Sequence, residues 1–127
     1  MILDYLSGGD LRYHLCCQKK FDEETTRFFI AGIVSSLEKI HEKNIIHRDI
    51  KPENIVIDKD GYLRLTDFGI ARVYRENNHT DTSGTPGYMA PEVMIFQNHN
   101  YLVDYFAVGV LTYECMFGKR PFTGSSR

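Results

Sequence analysis

Three short segments, each with at least one charged side chain, lie in order along this sequence and contain the residue types best suited to chemistry. They are His47–Asn54, Asp67–Gly69 and Ala90–Glu92. Asn54 and Asp67 offer amide and carboxylate oxygens, which are ligands that Mg²⁺ prefers, and Lys51 offers a charge that neutralises phosphate. These types suit phosphoryl transfer, which needs positioning and charge neutralisation more than covalent chemistry. Taken singly, each has an ordinary alternative, such as an aspartate that caps a turn or a solvated lysine.

The order and spacing of these segments resemble the catalytic loop, the metal-binding triplet and the end of the activation segment in eukaryotic protein kinases. The resemblance covers the whole chain. It implies that Asp49 accepts or orients the proton of the attacking hydroxyl and that Lys51 neutralises the γ-phosphate. It also implies that Asn54 and Asp67 bind Mg²⁺, that ATP is the phosphoryl donor, and that the partner is a protein with a Ser or Thr acceptor.

Serine/threonine specificity is implied by two features of this resemblance. Lys51 stands in the catalytic loop where tyrosine kinases usually have an alanine-arginine pattern, and Gly84–Tyr88 differs from their peptide-binding segment. Thr85 matches the threonine that hydrogen-bonds the catalytic aspartate and lysine. We therefore assign Asp49, Lys51 and Thr85 to the expected catalytic site.

Three further residues are expected to support the site rather than act in it. The family stacks the residues that match His47 and Phe68 in its core, where they align the catalytic loop. Asp104 matches a buried aspartate that begins the central helix and binds the backbone of that loop.

The segment from Asp4 to Leu11 resembles the adenine-binding hinge of the AGC group of kinases. The string from Gly8 to Leu15 also resembles the branch of that group termed "yet another novel kinase". This match makes Leu3 the gatekeeper residue. It implies nucleotide contacts from the backbone of Asp4 and Leu6, and from the side chains of Asp10, Leu11 and Val56.

The AGC resemblance also implies a preference for basic peptides. Glu53 and Glu114 match positions that read an arginine two residues before the acceptor, and Asp10 matches one that reads an arginine three residues before it. Carboxylates suit this task because they form bidentate bonds with a guanidinium. Met89 lies where an apolar residue after the acceptor is expected to bind. The alternative is that Glu53 belongs to the common Pro-Glu-Asn string and that Glu114 is an ordinary helix charge.

The activation segment contains a candidate regulatory position. In the AGC pattern a phosphorylated threonine lies three residues before the Gly-Thr-Pro string, and Asp81 stands there. We expect Arg48 to bind the group at this position, so that Asp81 replaces the phosphate with a fixed negative charge. The alternative is that Asp81 is a solvated loop residue and that Thr80 or Thr82 is the phosphorylation site.

The composition is that of an ordinary globular protein. The chain has 127 residues, of which 43% are hydrophobic and 25% are charged, and its net charge is −2. We therefore expect no disorder, no attraction to nucleic acid and, without an apolar run of about 20 residues, no membrane span. The three cysteines lack a CxxC spacing, which indicates reduced thiols in an intracellular, cytoplasmic protein.

The elements that must position these residues follow from periodicity and capping. Helices are predicted over Asp10–Gln18, Asp22–Glu42 and Val103–Met116, short strands over Met1–Leu6, Ile45–Ile46, Ile55–Ile57 and Tyr62–Leu65, and a long polar loop over Gly69–Pro91. The Asp-x-Asp-Gly string before Tyr62 is expected to form a hairpin turn, since the other ligands of a calcium loop are missing. Together with the resemblance, these elements predict an α+β, protein-kinase-like fold, with a mainly α-helical C-terminal lobe and short β-hairpins.

The resemblance divides the chain, as a partial kinase domain over residues 1–127, into five segments. These are the hinge (1–9), the lower-lobe helices (10–46), the catalytic loop and hairpin (47–66), the activation segment (67–92) and the central helix region (93–127).

Some parts of the family pattern do not occur in the sequence, which contains no GxGxxG and no Val-Ala-Ile-Lys string. We therefore expect a fragment, inactive alone, that lacks the N-terminal β lobe and the last helices. The parent protein is expected to be an ATP-dependent serine/threonine kinase. The alternatives are a pseudokinase or scaffold that binds partners without catalysis, and a fragment that competes for substrates.

Overall fold

The computed structural model of the protein describes residues 6–124. Its helices are α1 (Leu11–Gln18), α2 (Glu23–His41), α3 (Pro91–Met94) and α4 (Leu102–Phe117), and its strands are β1 (Ile45–Ile46), β2 (Ile55–Ile57), β3 (Leu63–Leu65) and β4 (Arg72–Val73). A short 3-10 helix, Pro52–Asn54, precedes β2. The predicted contacts of Leu3 and Asp4, and nearly all of the strand predicted over Met1–Leu6, lie outside the described residues. No helix among residues 6–124 is both long enough and apolar enough to cross a membrane.

Helix α2 begins and packs as its sequence predicts. The Asp22 side chain accepts a hydrogen bond from the Thr25 amide at 2.7 Å, and two glutamates follow in the first turn. These groups satisfy free amides and complement the positive end of the helix dipole. The apolar face of α2 places Ile33 and Leu37, both fully buried, in one core with Leu111 of α4.

Helices α1 and α4 also agree with the predicted positions. Asp10 caps α1 by accepting a hydrogen bond from the Tyr13 amide at 2.8 Å. Helix α4 contains eight buried residues, as expected of a helix at the centre of a domain. It ends at Gly118, whose φ of 72° lies in the left-handed region that glycine adopts without strain.

The predicted hairpin forms between β2 and β3. The strands pair antiparallel, with Ile55 opposite Leu65. The Asp58 carboxylate accepts hydrogen bonds from the amides of Asp60 and Tyr62 at 2.9 and 3.0 Å. This side chain therefore organises the turn itself, and the hairpin interpretation is confirmed.

The prediction of an unstructured loop over Gly69–Pro91 is wrong in one part. Strand β4 lies inside that segment and pairs antiparallel with β1, with Ile45 opposite Val73 and Ile46 opposite Arg72. Both β4 residues are exposed, so this segment lacks the alternation of apolar and polar residues that predicts a strand from sequence. The pairing ties the start of the activation segment to β1, the strand that leads from α2 into the catalytic loop.

Candidate active site

The backbone of the catalytic loop is held by a buried carboxylate of α4. Asp104 is 1% exposed; its Oδ2 accepts a hydrogen bond from the His47 amide at 2.9 Å and its Oδ1 accepts one from the Arg48 amide at 2.8 Å. Arg48 has a φ of 68°, a conformation that costs a non-glycine residue about 1–2 kcal/mol. Asp104 stabilises this turn, as the sequence predicts.

Asp49 lies within a network of three polar side chains. Thr85 Oγ1 donates a hydrogen bond to Asp49 Oδ1 at 2.6 Å, and Lys51 Nζ lies 2.8 Å from Asp49 Oδ2 and donates to Thr85 Oγ1 at 2.9 Å. Asn54 Nδ2 donates to Asp49 Oδ2 at 2.9 Å. The structure thus brings together the three predicted catalytic residues and one predicted metal ligand.

This network keeps Asp49 ionised. Burial by itself disfavours the charged form and acts to raise the pKa of Asp49. The hydrogen bonds from Lys51 and Thr85, together with the lysine charge, outweigh burial and lower the pKa below its ordinary value. The carboxylate is therefore negative at neutral pH and can accept a hydrogen bond from an incoming hydroxyl.

The two predicted magnesium ligands are connected through one residue. The amide and hydroxyl of Thr66 both donate to the Asn54 carbonyl, at 2.9 and 3.1 Å, and Asp67 follows Thr66 directly. The Asn54 amide nitrogen is already used by Asp49, which leaves Asn54 Oδ1 as a ligand oxygen. Among residues 6–124, no group of three or more His, Cys, Asp or Glu side chains could hold a metal. Two oxygen ligands still fit Mg²⁺, which commonly takes one or two protein ligands together with phosphates and water.

The predicted nucleotide-binding residues differ in what they expose. Asp10 and Val56 form a backbone bridge, and Val56 and Leu6 are both partly exposed. Leu11 is 0% exposed and lies in the main core, because α1 packs it inward. Leu11 therefore exposes no surface that could contact a base in this structure, and the residue packs in the core instead.

The expected pairing of His47 and Phe68 forms, but the expected burial of both does not. Their ring centroids lie 4.9 Å apart, and His47 is fully buried. Phe68 is 47% exposed, so its prediction as a core residue is wrong for the described part of the chain. Phe68 follows directly after exposed Asp67 on a surface loop, so the contact with the His47 ring leaves about half of its surface open to solvent.

Comparison with known families and proteins agrees with this geometry. A family model described as "protein kinase domain" matches residues 1–127. The chain belongs to the protein kinase family. The resemblance to protein kinases and the predicted fold class are thereby confirmed, and the catalytic loop, Asp67 and Thr85 can be described as parts of a kinase domain.

Curated relatives of this kinase chain carry serine/threonine kinase names. "Serine/threonine-protein kinase AtPK1/AtPK6" of Arabidopsis thaliana is 45% identical over 126 residues, which are 98% of this chain and 27% of the relative. "cAMP-dependent protein kinase catalytic subunit 3" of Drosophila melanogaster is 47% identical over 122 residues, 96% of this chain and 21% of the relative. "Protein kinase C-like 1" of Caenorhabditis elegans is 45% identical over 126 residues, which are 97% of this chain and 18% of the relative. The chain thus spans about a quarter of the length of these relatives or less.

The activation segment of this kinase domain places Asp81 beside Arg48. Arg48 Nη1 lies 3.6 Å from Asp81 Oδ2, with side-chain exposures of 4% and 39%. That distance is an ion pair without a hydrogen bond. Arg48 also donates to the Ile70 carbonyl through Nε at 2.7 Å. Thr80 is exposed and Thr82 is partly exposed, so both alternative phosphorylation sites remain accessible.

One residue of the site was missed at the level of sequence. Arg12 of α1 binds both glutamates predicted to read a substrate arginine, Glu53 at 2.9 Å and Glu114 at 2.8 Å. An arginine on a short helix reads as a solvated charge, and these partners lie 41 and 102 residues away, so no local pattern signals the contact. The arginine preference that the resemblance implies stays a prediction, and the occupation of both glutamates by Arg12 counts against it. Met89 lines a cleft that also contains Asp49 and Thr85.

Proposed function

We propose that this chain is the central part of a serine/threonine protein kinase that transfers the γ-phosphoryl group of ATP to a Ser or Thr hydroxyl of a protein. The observation that carries the proposal is the hydrogen-bonded group of Asp49, Lys51, Thr85 and Asn54. Phosphoryl transfer depends mainly on such positioning and on charge neutralisation. The serine/threonine kinase names of the relatives support the same acceptor class.

In the proposed reaction each residue has a distinct task. Asp49, kept ionised by its neighbours, accepts a hydrogen bond from the acceptor hydroxyl and takes its proton as the oxygen attacks. Thr85 holds Asp49 in place, and Lys51 provides the positive charge next to it. Asn54 and Asp67 would hold Mg²⁺, which supplies neutralisation of phosphate charge.

Replacement of Asp49 tests this function in the complete protein. We expect Asp49→Asn to lower kcat for a Ser-containing peptide by at least about 10²-fold, because the proton acceptor is lost. Asp60→Asn is a matched control, since Asp60 is exposed in the β2–β3 turn. Equal, ATP-dependent rates for Asp49→Asn and the wild type would contradict the proposed role. Absence of transfer by both would favour a pseudokinase or scaffold instead. We expect residues 1–127 alone to be inactive.

We also propose that the Asp81–Arg48 pair provides part of the activation that phosphorylation gives other kinases. The support is a buried guanidinium whose Nη1 has no hydrogen-bond partner among residues 6–124, with a carboxylate 3.6 Å away. Burial lowers the pKa of Arg48, and the Asp81 charge opposes this shift and so favours the charged form. A carboxylate has one negative charge where a phosphate has nearly two, so partial activity is expected.

The regulatory proposal is tested on phosphatase-treated complete protein. We expect the treated wild type to retain activity and Asp81→Asn to lower kcat by about threefold to tenfold, since the Asp81 side chain is 39% exposed and the ion pair is partly screened. Thr82→Ala should leave the rate of the treated enzyme unchanged. If phosphatase abolishes activity while Asp81→Asn has no effect, Asp81 is not the switch.

A further inference from the structure

The Arg12 guanidinium is bound by three side chains from distant parts of the chain. Its Nε contacts Glu53 Oε1 at 2.9 Å, its Nη1 contacts Glu114 Oε1 at 2.8 Å, and its Nη2 donates to the Tyr88 hydroxyl at 2.7 Å. These partners come from the 3-10 helix at the end of the catalytic loop, from α4 and from the activation segment. Each nitrogen of the guanidinium thus has its own partner.

The partners are also bonded to one another. The Tyr88 hydroxyl, which accepts from Arg12, donates in turn to Glu114 Oε2. The Glu114 side chain is 8% exposed and the Arg12 side chain 30% exposed. Burial opposes the charge on Arg12, but the hydrogen bonds to Glu114 and Glu53 outweigh it and raise the pKa of Arg12. Glu114, Tyr88 and Arg12 therefore form a hydrogen-bonded group in which a nearly buried anion, a phenol and a cation each have partners.

The arrangement of Glu53, Glu114 and Tyr88 has the chemistry of a guanidinium receptor. Two carboxylates and a hydroxyl oxygen offer three acceptors. The planar, forked donors of a guanidinium match such a set, whereas an ammonium group acts as a point charge and does not. The receptor adjoins the proposed catalytic residues. Glu53 immediately precedes Asn54 in the chain, and the Tyr88 amide donates to the Thr85 carbonyl at 3.1 Å.

A second guanidinium would have to compete with Arg12 for the acceptors of this receptor. The nearly buried Glu114 carboxylate already accepts from Arg12 and from Tyr88. Like charges brought together there would repel one another at short range, most strongly beside the nearly buried Glu114. A substrate arginine would have to displace Arg12 from contacts at 2.7–2.9 Å.

Resting on the proposed kinase function, we propose that Arg12 is a built-in occupant of this guanidinium receptor and a specificity-determining residue. The wild-type enzyme then has no need of an arginine in its peptide substrate. Removal of Arg12 opens an acidic subsite and converts the enzyme to one that prefers peptides with an upstream arginine.

The first test compares two Ser-containing peptides that differ by arginine or alanine two residues before the acceptor. We expect kcat/KM of the complete wild-type protein to differ by less than about threefold between them. For Arg12→Ala we expect the arginine peptide to be favoured by about 10-fold to 100-fold, the effect of charge-assisted bonds to a desolvated carboxylate. Arg12→Gln keeps a donor toward Glu114 and is used if the alanine variant folds poorly. We expect this variant also to favour the arginine peptide. Arg27→Ala, which removes an exposed ion pair of α2, is the matched control.

The second test measures binding without activity. Ethylguanidinium reproduces the part of the Arg12 side chain that Arg12→Ala deletes. We expect it to raise the thermal unfolding midpoint of Arg12→Ala well above its effect on the wild type and on Arg27→Ala, and more than ethylammonium does.

The two tests separate the possible failures. If ethylguanidinium does not stabilise Arg12→Ala selectively, or if the peptide preference does not shift, the proposal is overturned and Arg12 is a structural cross-link only. A wild type that itself favours the arginine peptide by tenfold or more also overturns it. If no variant transfers phosphate, the kinase proposal fails, and selective stabilisation by ethylguanidinium still decides whether the receptor exists.

Discussion

Replacement of Asp104 should weaken the anchoring of the catalytic-loop backbone without changing any of the proposed catalytic side chains. The carboxylate accepts three hydrogen bonds, from the amides of His47 and Arg48 and from His41 Nε2, at 2.8–2.9 Å. In Asp104→Asn the amide oxygen is expected at the Oδ2 position, where it keeps two donors, and the NH₂ group replaces Oδ1 opposite the Arg48 amide. The change therefore removes one charge-assisted bond, worth about 1.5–3 kcal/mol, and leaves a buried group unsatisfied at a cost of about 1–3 kcal/mol.

We expect Asp104→Asn to lower the free energy of unfolding by about 3–5 kcal/mol, a large part of the 5–15 kcal/mol typical of a domain. Urea unfolding of the complete protein, followed by circular dichroism, measures the loss as a shift of the midpoint at constant slope. Hydrogen exchange of the Arg48 amide should quicken in the same variant, because this amide loses its acceptor. Asp60→Asn, in an exposed turn, is the control. A loss within about 0.5 kcal/mol of this control would refute the reasoning.

Three further outcomes follow from the geometry. Thr85→Val should lower kcat by about 10-fold to 100-fold with KM nearly unchanged, whereas Thr112→Val, which removes a hydroxyl bonded within α4, should leave both unchanged. Burial raises the pKa of Cys115 to about 12, so at about pH 8 an alkylating reagent should label the exposed cysteines of α1 and reach Cys115 only after unfolding. Gly118→Ala should destabilise the protein more than Gly61→Ala in urea unfolding: both glycines have positive φ, but only at Gly118 would a Cβ lie 2.5 Å from a backbone oxygen.

The parts of the fold that were predicted correctly depend on local interactions. Asp22 caps α2 through the Thr25 amide three residues later, and the apolar face of α2 repeats within a few residues. Such signals lie within one helix and can be read directly. Asp49, Asn54 and Asp67 were singled out through a family pattern. The structure shows that Asn54 donates to Asp49 and that Thr66, next to Asp67, donates to the Asn54 carbonyl, and the roles of the three residues stay predictions.

The parts that escaped prediction depend on contacts between distant segments. Strand β4 consists of two exposed residues and exists because β1 pairs with it. The three partners of Arg12 lie 41, 76 and 102 residues away. Phe68 is exposed although its residue type favours a core, because burial depends on what the fold brings against it. No periodicity within one segment carries this information.

The anchoring of the catalytic loop by Asp104 has a consequence for synthesis of the chain. His47 emerges from the ribosome before its acceptor, which lies 57 residues later. At about 5–20 residues per second, this interval lasts roughly 3–11 s. During that time the loop amides have no carboxylate to bind, and the left-handed turn at Arg48 lacks the contact that stabilises it. The catalytic loop therefore acquires its working shape only after the ribosome has translated α4, and any nascent chain that stops short of Asp104 holds the catalytic residues without the means to align them.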